Sequence, residues 1–161
     1  MSEHIVSKLT GGCTCEAVRY EWVDEPLFVH CCFCRWCQRE TGSSYALNAL
    51  MEHDRVVLTQ GMPYGVTLPS NSGKGQTVHR CGNCQVALWS TYAGAGELIR
   101  FVRVGTLDEP DRVPPDLQIY TASKQPWVAL SPEIPAVPEY YRRSLYWPQH
   151  KILRYKAHLQ G

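Results

Sequence analysis

Gly11-Gly12-Cys13-Thr14-Cys15 and Cys81-Gly82-Asn83-Cys84 are two short cysteine pairs set far apart in the chain, and reading them together decides the fold. Each pair sits at a turn between two extended runs, and such a turn can aim two sulfurs at one point. The neighbouring glycines supply the positive-φ conformations that these turns often need. Together the pairs make a set of four thiolates. Four thiolates around one ion, at about 2.3 Å each, form the closed, structural type of zinc site. Soft sulfur ligands select zinc over calcium or magnesium.

Between the pairs lies Cys31-Cys32-Phe33-Cys34-Arg35-Trp36-Cys37. Cys32 and Cys34 share one side of an extended segment, and Cys37 returns to the same point from the first turn of a following helix. Cys31 faces the other way and is expected to be a buried odd thiol. Three protein ligands leave a tetrahedral ion one position short, as in a catalytic zinc site. The alternative is a closed site completed by His30, which lies two residues before Cys32 on the same side. That would make this a second structural zinc.

Eight cysteines also allow four disulfides. The start MSEHIVSKLT has no apolar run of signal-peptide length, so a cytoplasmic location is expected, where metal binding is the better use of the thiols. A chain of 161 residues with 44% hydrophobic residues is long enough for one domain with its own core. No stretch approaches the apolar length of a membrane span. Formal net charge is +1, and seven thiolates on two Zn²⁺ ions would bring it to about −2. Without a long basic run, phosphate-backbone binding is disfavoured.

Alternation in Ala17–Val23 places Val18, Tyr20 and Trp22 on one face. Similar β-type runs are Leu27–His30, Ser44–Leu50, Arg55–Thr59, Gln76–His79, Val86–Thr91, Leu98–Val104 and Leu117–Tyr120, separated by glycine and proline turn signals. The fold class is mainly β, with small antiparallel sheets built around zinc-binding turns. Helix is expected at Arg35–Thr41 and over Pro138–Tyr146. The proline-rich Ser131–Pro138 stretch divides a zinc domain, residues 1–135, from a C-terminal extension, residues 136–161. That aromatic and basic extension is expected to pack on the domain or on a second subunit, as in a homodimer.

The order Gly-Gly-Cys-x-Cys, Cys-x-Cys-x₂-Cys, Cys-x₂-Cys, then Val104-Gly105-Thr106-Leu107-Asp108 and Ser123-Lys124-Gln125-Pro126-Trp127 resembles the glutathione-dependent formaldehyde-activating enzyme family, also called the Gfa or CENP-V type. The resemblance runs from about Leu9 to Trp127. It implies an Mss4-like fold, a structural zinc at Cys13, Cys15, Cys81 and Cys84, and a functional zinc at Cys32, Cys34 and Cys37. It further implies carbon–sulfur lyase chemistry on the adduct of glutathione and formaldehyde. Phe33, Gln85 and Arg80 depart from the family pattern. Phe33 stands where a small polar residue or histidine is common, and it is expected to make the pocket more apolar. Glycine is frequent at the place of Gln85, and an aromatic is usual at that of Arg80.

A thiol is a poor nucleophile while protonated. Zinc ligation removes that proton, and the ion can also polarise an aldehyde carbonyl. Arg35, Arg39 and Lys74 are the nearest candidates to receive the carboxylates of a glutathione-like thiol. The rival from another class is a non-catalytic zinc module that binds protein or nucleic acid. A closed second site favours the module, and an open one facing a pocket favours the enzyme.

Overall fold

The computed structural model describes residues 8–161, and the leader question at residues 1–7 lies outside the described residues. The strands are β1 (Leu9–Gly12), β2 (Arg19–Trp22), β3 (Phe28–Cys32), β4 (Ala46–Glu52), β5 (Val56–Gln60), β6 (Tyr64–Leu68), β7 (Gln76–Arg80), β8 (Ala87–Tyr92), β9 (Gly96–Arg103) and β10 (Leu117–Ile119). The helices are α1 (Arg35–Thr41), α2 (Arg143–Tyr146) and α3 (Gln149–Gln160). No helix among the described residues is long and apolar enough to cross a membrane.

The molecule is mainly β. Strands β1, β2 and β5 form a three-stranded antiparallel sheet. The second sheet has seven strands in the order β10-β3-β4-β9-β8-β7-β6, larger than the small sheets expected. Its edge strand β10 joins β3 in parallel. Strand β4 can sit inside this sheet because its residues are almost all buried, as a central strand covered on both faces requires.

Alternation correctly places Val18, Tyr20 and Trp22 inward, each no more than 2% exposed. They belong to a first core that also holds Cys13 and Cys81. A second core holds Cys32 and Cys34 together with Tyr141, Trp147 and Tyr155 of the C-terminal segment. Each cysteine set is therefore seated against its own apolar cluster, which keeps water from most of the sulfurs.

The C-terminal segment departs from expectation. Residues 138–142 are not helical. The backbone N–H groups of Tyr120, Thr121 and Ala122 donate to the carbonyls of Glu139, Val137 and Pro138, and tie this run to the segment that follows β10. Helix appears only at α2 and then at α3, which begins after Pro148, where a proline is well tolerated. Helix α3 is pinned by ion pairs as well as by Tyr155 in the second core. Arg154 bonds Glu52, whose side chain is 1% exposed, and Lys151 bonds Glu25 at 2.8 Å.

Candidate metal centres

The turn after β1 and the turn after β7 are built alike. In the first, the Cys13 N–H donates to the Val18 carbonyl and the Glu16 N–H to the Cys13 carbonyl, at 3.1 Å each. In the second, the Cys81 N–H donates to Val86 and the Gln85 N–H to Cys81, at 3.0 Å each. The residues in the left-handed conformation are Glu16 (φ 64) and Gln85 (φ 67), and neither is the glycine expected to take that role. Gly11 serves close approach instead, because a Cβ there would lie 2.5 Å from the Thr106 carbonyl oxygen.

These turns bring Cys13, Cys15, Cys81 and Cys84 together, with all four sulfurs within 4.8 Å of one another. Cys13 and Cys15 are 3.6 Å apart and Cys15 and Cys81 are 3.7 Å apart. All eight cysteines are free thiols. A tetrahedron with metal–sulfur bonds of about 2.3 Å has edges of about 3.8 Å, so the donor set fits a zinc ion. Backbone N–H groups of Val18 and Asn83 point at the sulfurs of Cys13 and Cys81 at 3.3 and 3.4 Å, a favourable setting for thiolates. Burial pushes Cys13 up to about 11. Hydrogen bonds from Asn83 and the Ala17 backbone draw Cys15 down to about 6.

The Val104–Asp108 segment, a 3-10 turn and its exit, closes over the first of these turns. Asp108 accepts hydrogen bonds from the Arg19 guanidinium and the Thr10 hydroxyl. The Tyr20 hydroxyl meets Thr106 Oγ1 at 2.6 Å. The motif thus fixes the ends of β1 and β2, between which Cys13 and Cys15 hang.

The second cluster is Cys32, Cys34 and Cys37, whose sulfurs also lie within 4.8 Å of one another. Cys32 ends β3. Cys34 caps α1, its sulfur accepting from the Cys37 N–H at 3.3 Å, and Cys37 stands on the helix's first turn. The Phe33 carbonyl between them accepts from Gln38 Nε2 at 2.7 Å and from Ser123 Oγ at 3.1 Å. Ser123 opens the Ser-Lys-Gln-Pro-Trp stretch, so that motif anchors the cysteine loop.

Hydrogen bonds from Cys32 and Cys37 lower Cys34, and the neighbouring sulfurs Cys34 and Cys37, together with burial, push Cys32 far up. The hydrogen bond from Cys32 alone would lower Cys37, but Cys34 and burial outweigh it and carry Cys37 up to about 12. Three thiolates so crowded cannot all ionise without a cation among them, so this donor set also fits a soft metal ion.

Among the described residues no histidine or carboxylate joins this cluster as a fourth ligand within 4.8 Å. His30 is buried, its Nδ1 has no hydrogen-bond partner, and its ring packs against Phe101 and Tyr141. Desolvation by burial lowers it to about 4. Cys31 is buried facing away from the cluster, as expected, and burial pushes its thiol up to about 12.

A cavity of about 520 Å³ opens beside Cys32, Cys34 and Cys37. The expectation that Phe33 lines it is wrong. Phe33 is 2% exposed and packs on Tyr45 at a centroid distance of 5.3 Å, outside the cavity lining. In an extended Cys-x-Cys segment the middle residue faces opposite its neighbours, and that period-two signal was available in the sequence. Of the three expected cations only Lys74 lines the cavity. Arg35 donates to Gln38 Oε1 at 3.0 Å, and Arg39 is an exposed residue of α1.

Sequence reasoning missed Arg143, Tyr140 and Tyr155, which reach the cavity from the C-terminal segment. The register of that segment carried no motif to place them. Another group, His53, Asp54 and His158, ties α3 to the 3-10 turn after β4. His158 Nε2 is 3.1 Å from His53 Nδ1 and 3.0 Å from the Leu98 carbonyl, which takes a ring proton as acceptor. This arrangement is satisfied as a hydrogen-bonded latch.

A crystal structure of a Rhodobacter sphaeroides protein is similar at 15% sequence identity and a TM-score of 0.47, over 80% of this chain and 99% of its own. No curated protein matches the chain. The family model described as glutathione-dependent formaldehyde-activating enzyme matches residues 8–123, the stretch that carries both cysteine clusters and the Val104–Asp108 motif. This chain belongs to the glutathione-dependent formaldehyde-activating enzyme family.

Proposed function

We propose that this chain is a zinc-dependent carbon–sulfur lyase-type enzyme that acts on adducts of glutathione, or a similar small thiol, with an aldehyde. The observation that carries this is the contrast between the two clusters. Cys13, Cys15, Cys81 and Cys84 make a four-sulfur set suited to a structural zinc. Cys32, Cys34 and Cys37 offer three sulfurs beside a cavity of about 520 Å³ and are the residues for a functional zinc. Membership of the family supports the thiol and the aldehyde as substrates.

Bound at the three-sulfur cluster, zinc would favour the deprotonated form of a thiol and polarise a carbonyl. In the joining direction the thiol sulfur bonds to the carbonyl carbon and the carbonyl π bond breaks. The thiol proton ends on the carbonyl oxygen. No oxidant or reductant takes part, and the same path reversed is the lyase reaction.

The chain's own residues bind and orient. Lys74 and Arg143 line the cavity, and neither makes an ion pair among the described residues, so both are available to carboxylates of the thiol. Gln38 and Ser123 hold the Phe33 carbonyl and with it the spacing of Cys32 and Cys34. The free thiols suit a reducing cytoplasm. Residues 1–135 form the zinc domain in this proposal, and residues 136–161 are an extension that completes the cavity.

The test is a titration of glutathione, other small thiols and a panel of aldehydes against wild-type protein and Cys34→Ser. Thiol-dependent turnover that is lost in Cys34→Ser, with one zinc retained, is expected. A fully metallated protein with neither turnover nor thiol binding would sink the proposal and favour a zinc module that binds protein or nucleic acid.

A further inference from the structure

We infer that the aldehyde partner carries an aromatic or long apolar group, seated against Tyr140, Tyr155 and Phe101 in the cavity beside Cys32, Cys34 and Cys37. This rests on the carbon–sulfur reading above and adds the chemical class of one substrate.

The first argument is size. A cavity of about 520 Å³ lies within the range of roughly 300–1,000 Å³ of drug-sized ligand sites, room for a tripeptide thiol whose aldehyde carbon carries a further group. The second is chemistry. Lys74 and Arg143 are placed for the carboxylates of a tripeptide thiol, and the wall that remains combines a polar side at Ser70, Asn71 and Ser72 with an apolar side where Phe101, Tyr140 and Tyr155 stand. An apolar wall holds water poorly and gains from apolar contact.

The third argument is rigidity. Tyr140 packs on Tyr141 at a centroid distance of 4.8 Å, and Tyr155 meets Trp147 edge-on at 5.5 Å. The Arg143 guanidinium lies 4.3 Å over the Tyr155 ring and 5.4 Å over that of Trp147. Phe101 is held by Tyr92 at 4.6 Å. Such a surface is ordered before the ligand arrives, so binding costs it little entropy.

Position along the chain gives a fourth argument. Tyr140, Arg143 and Tyr155 all lie beyond residue 123, where the family match ends. This part of the wall therefore lies outside the stretch that the family model matches.

The experiment measures calorimetric dissociation constants of S-benzylglutathione and S-methylglutathione on the zinc-loaded protein. Both are inert thioethers, so binding is read apart from turnover. In parallel, kcat/KM is compared for glutathione with benzaldehyde and with formaldehyde. Wild type is expected to bind the benzyl compound at least about tenfold tighter, as a well-filled apolar pocket allows. Tyr140→Ala should cut that ratio to about threefold or less while the methyl compound binds as before, and Tyr140→Phe should keep it.

Equal affinities in wild type, binding of neither compound, or a ratio unchanged in Tyr140→Ala would overturn the inference. A benzyl preference without turnover on any aldehyde would uphold the apolar wall and sink the lyase reading. Turnover of formaldehyde alone, without a benzyl preference, would do the reverse.

Discussion

Arg80, the residue before Cys81, donates to Glu40 at 3.0 Å, and Glu40 stands on α1 one turn after Cys37. The other Glu40 oxygen accepts from Arg103 at 2.7 Å. One carboxylate thus ties the turn of the four-cysteine set to the helix of the three-cysteine set. Arg80, next to a metal-ligand candidate in sequence, makes this tie.

Glu40→Gln should therefore be costly out of proportion to its size. The Glu40 side chain is 6% exposed and that of Arg103 is 11% exposed. Glutamine keeps one acceptor oxygen for the two guanidinium groups and leaves Arg103 buried without a counter-charge. A loss of about 3 kcal/mol is expected in urea unfolding of the zinc-loaded protein. A change below about 0.5 kcal/mol would show that the pair is only as strong as a surface ion pair.

Metal content is the second prediction. Purified protein should hold up to two zinc ions per chain, and graded chelation should remove the Cys32, Cys34 and Cys37 ion first, since that set has three sulfurs and the other has four. Cys13→Ser or Cys84→Ser should lower the melting temperature sharply, because a structural metal contributes to folding directly. If either variant melts like wild type, the four-cysteine assignment fails. Equal retention of both ions under chelation would mean that a further ligand completes the smaller set.

Glu16 offers a gain in stability. It holds a φ of 64, and its side chain is exposed. Glu16→Gly removes the steric cost of the left-handed conformation and should stabilise the fold by about 0.5–1 kcal/mol, after the added freedom of the unfolded chain is counted. A urea midpoint that falls would show that the residue is unstrained.

Acid should act partly through Asp108. Hydrogen bonds from Arg19 and Thr10, with the Arg19 charge, hold its carboxyl below the usual range. A carboxylate with a depressed folded pKa contributes stability that is present above its unfolded pKa, about 3.9, and lost as pH falls through the folded value. Asp108→Asn should thus be less stable than wild type at neutral pH, by about 1 kcal/mol or less because the pair is partly exposed. The gap should close below about pH 4. A stability difference that is constant down to pH 3 would contradict this.

Much of the site could be read from spacing. The two-residue period of a strand placed Cys32 and Cys34 together and turned Cys31 away. The same period, had it been applied to Phe33, would have removed it from the cavity. Paired turns placed the four distant sulfurs, since each turn needs only local backbone geometry. The expected helix over Arg35–Thr41 matches α1, whose first turn begins at the Cys34 cap.

What the sequence hid depends on contacts between distant segments. Strand β6 contains Gly65 and is exposed on most positions, so no apolar run marks it. Helix α3 carries Leu153 and Leu159 on its exposed side while Lys151 is buried, which blurs its apolar stripe. Arg35 and Lys74 look alike as surface cations in the sequence. Only the fold shows that Gln38 occupies the first and that the second faces the cavity.

The cavity draws its sulfurs and part of its wall from separate stretches of chain. Every cysteine lies at or before position 84, and Tyr140, Arg143 and Tyr155 come after position 135. Tyr140 and Arg143 are thus places where the wall can be recut one residue at a time, whereas exchange of the whole tail would also strip Tyr141, Trp147 and Tyr155 from the core that seats Cys32 and Cys34.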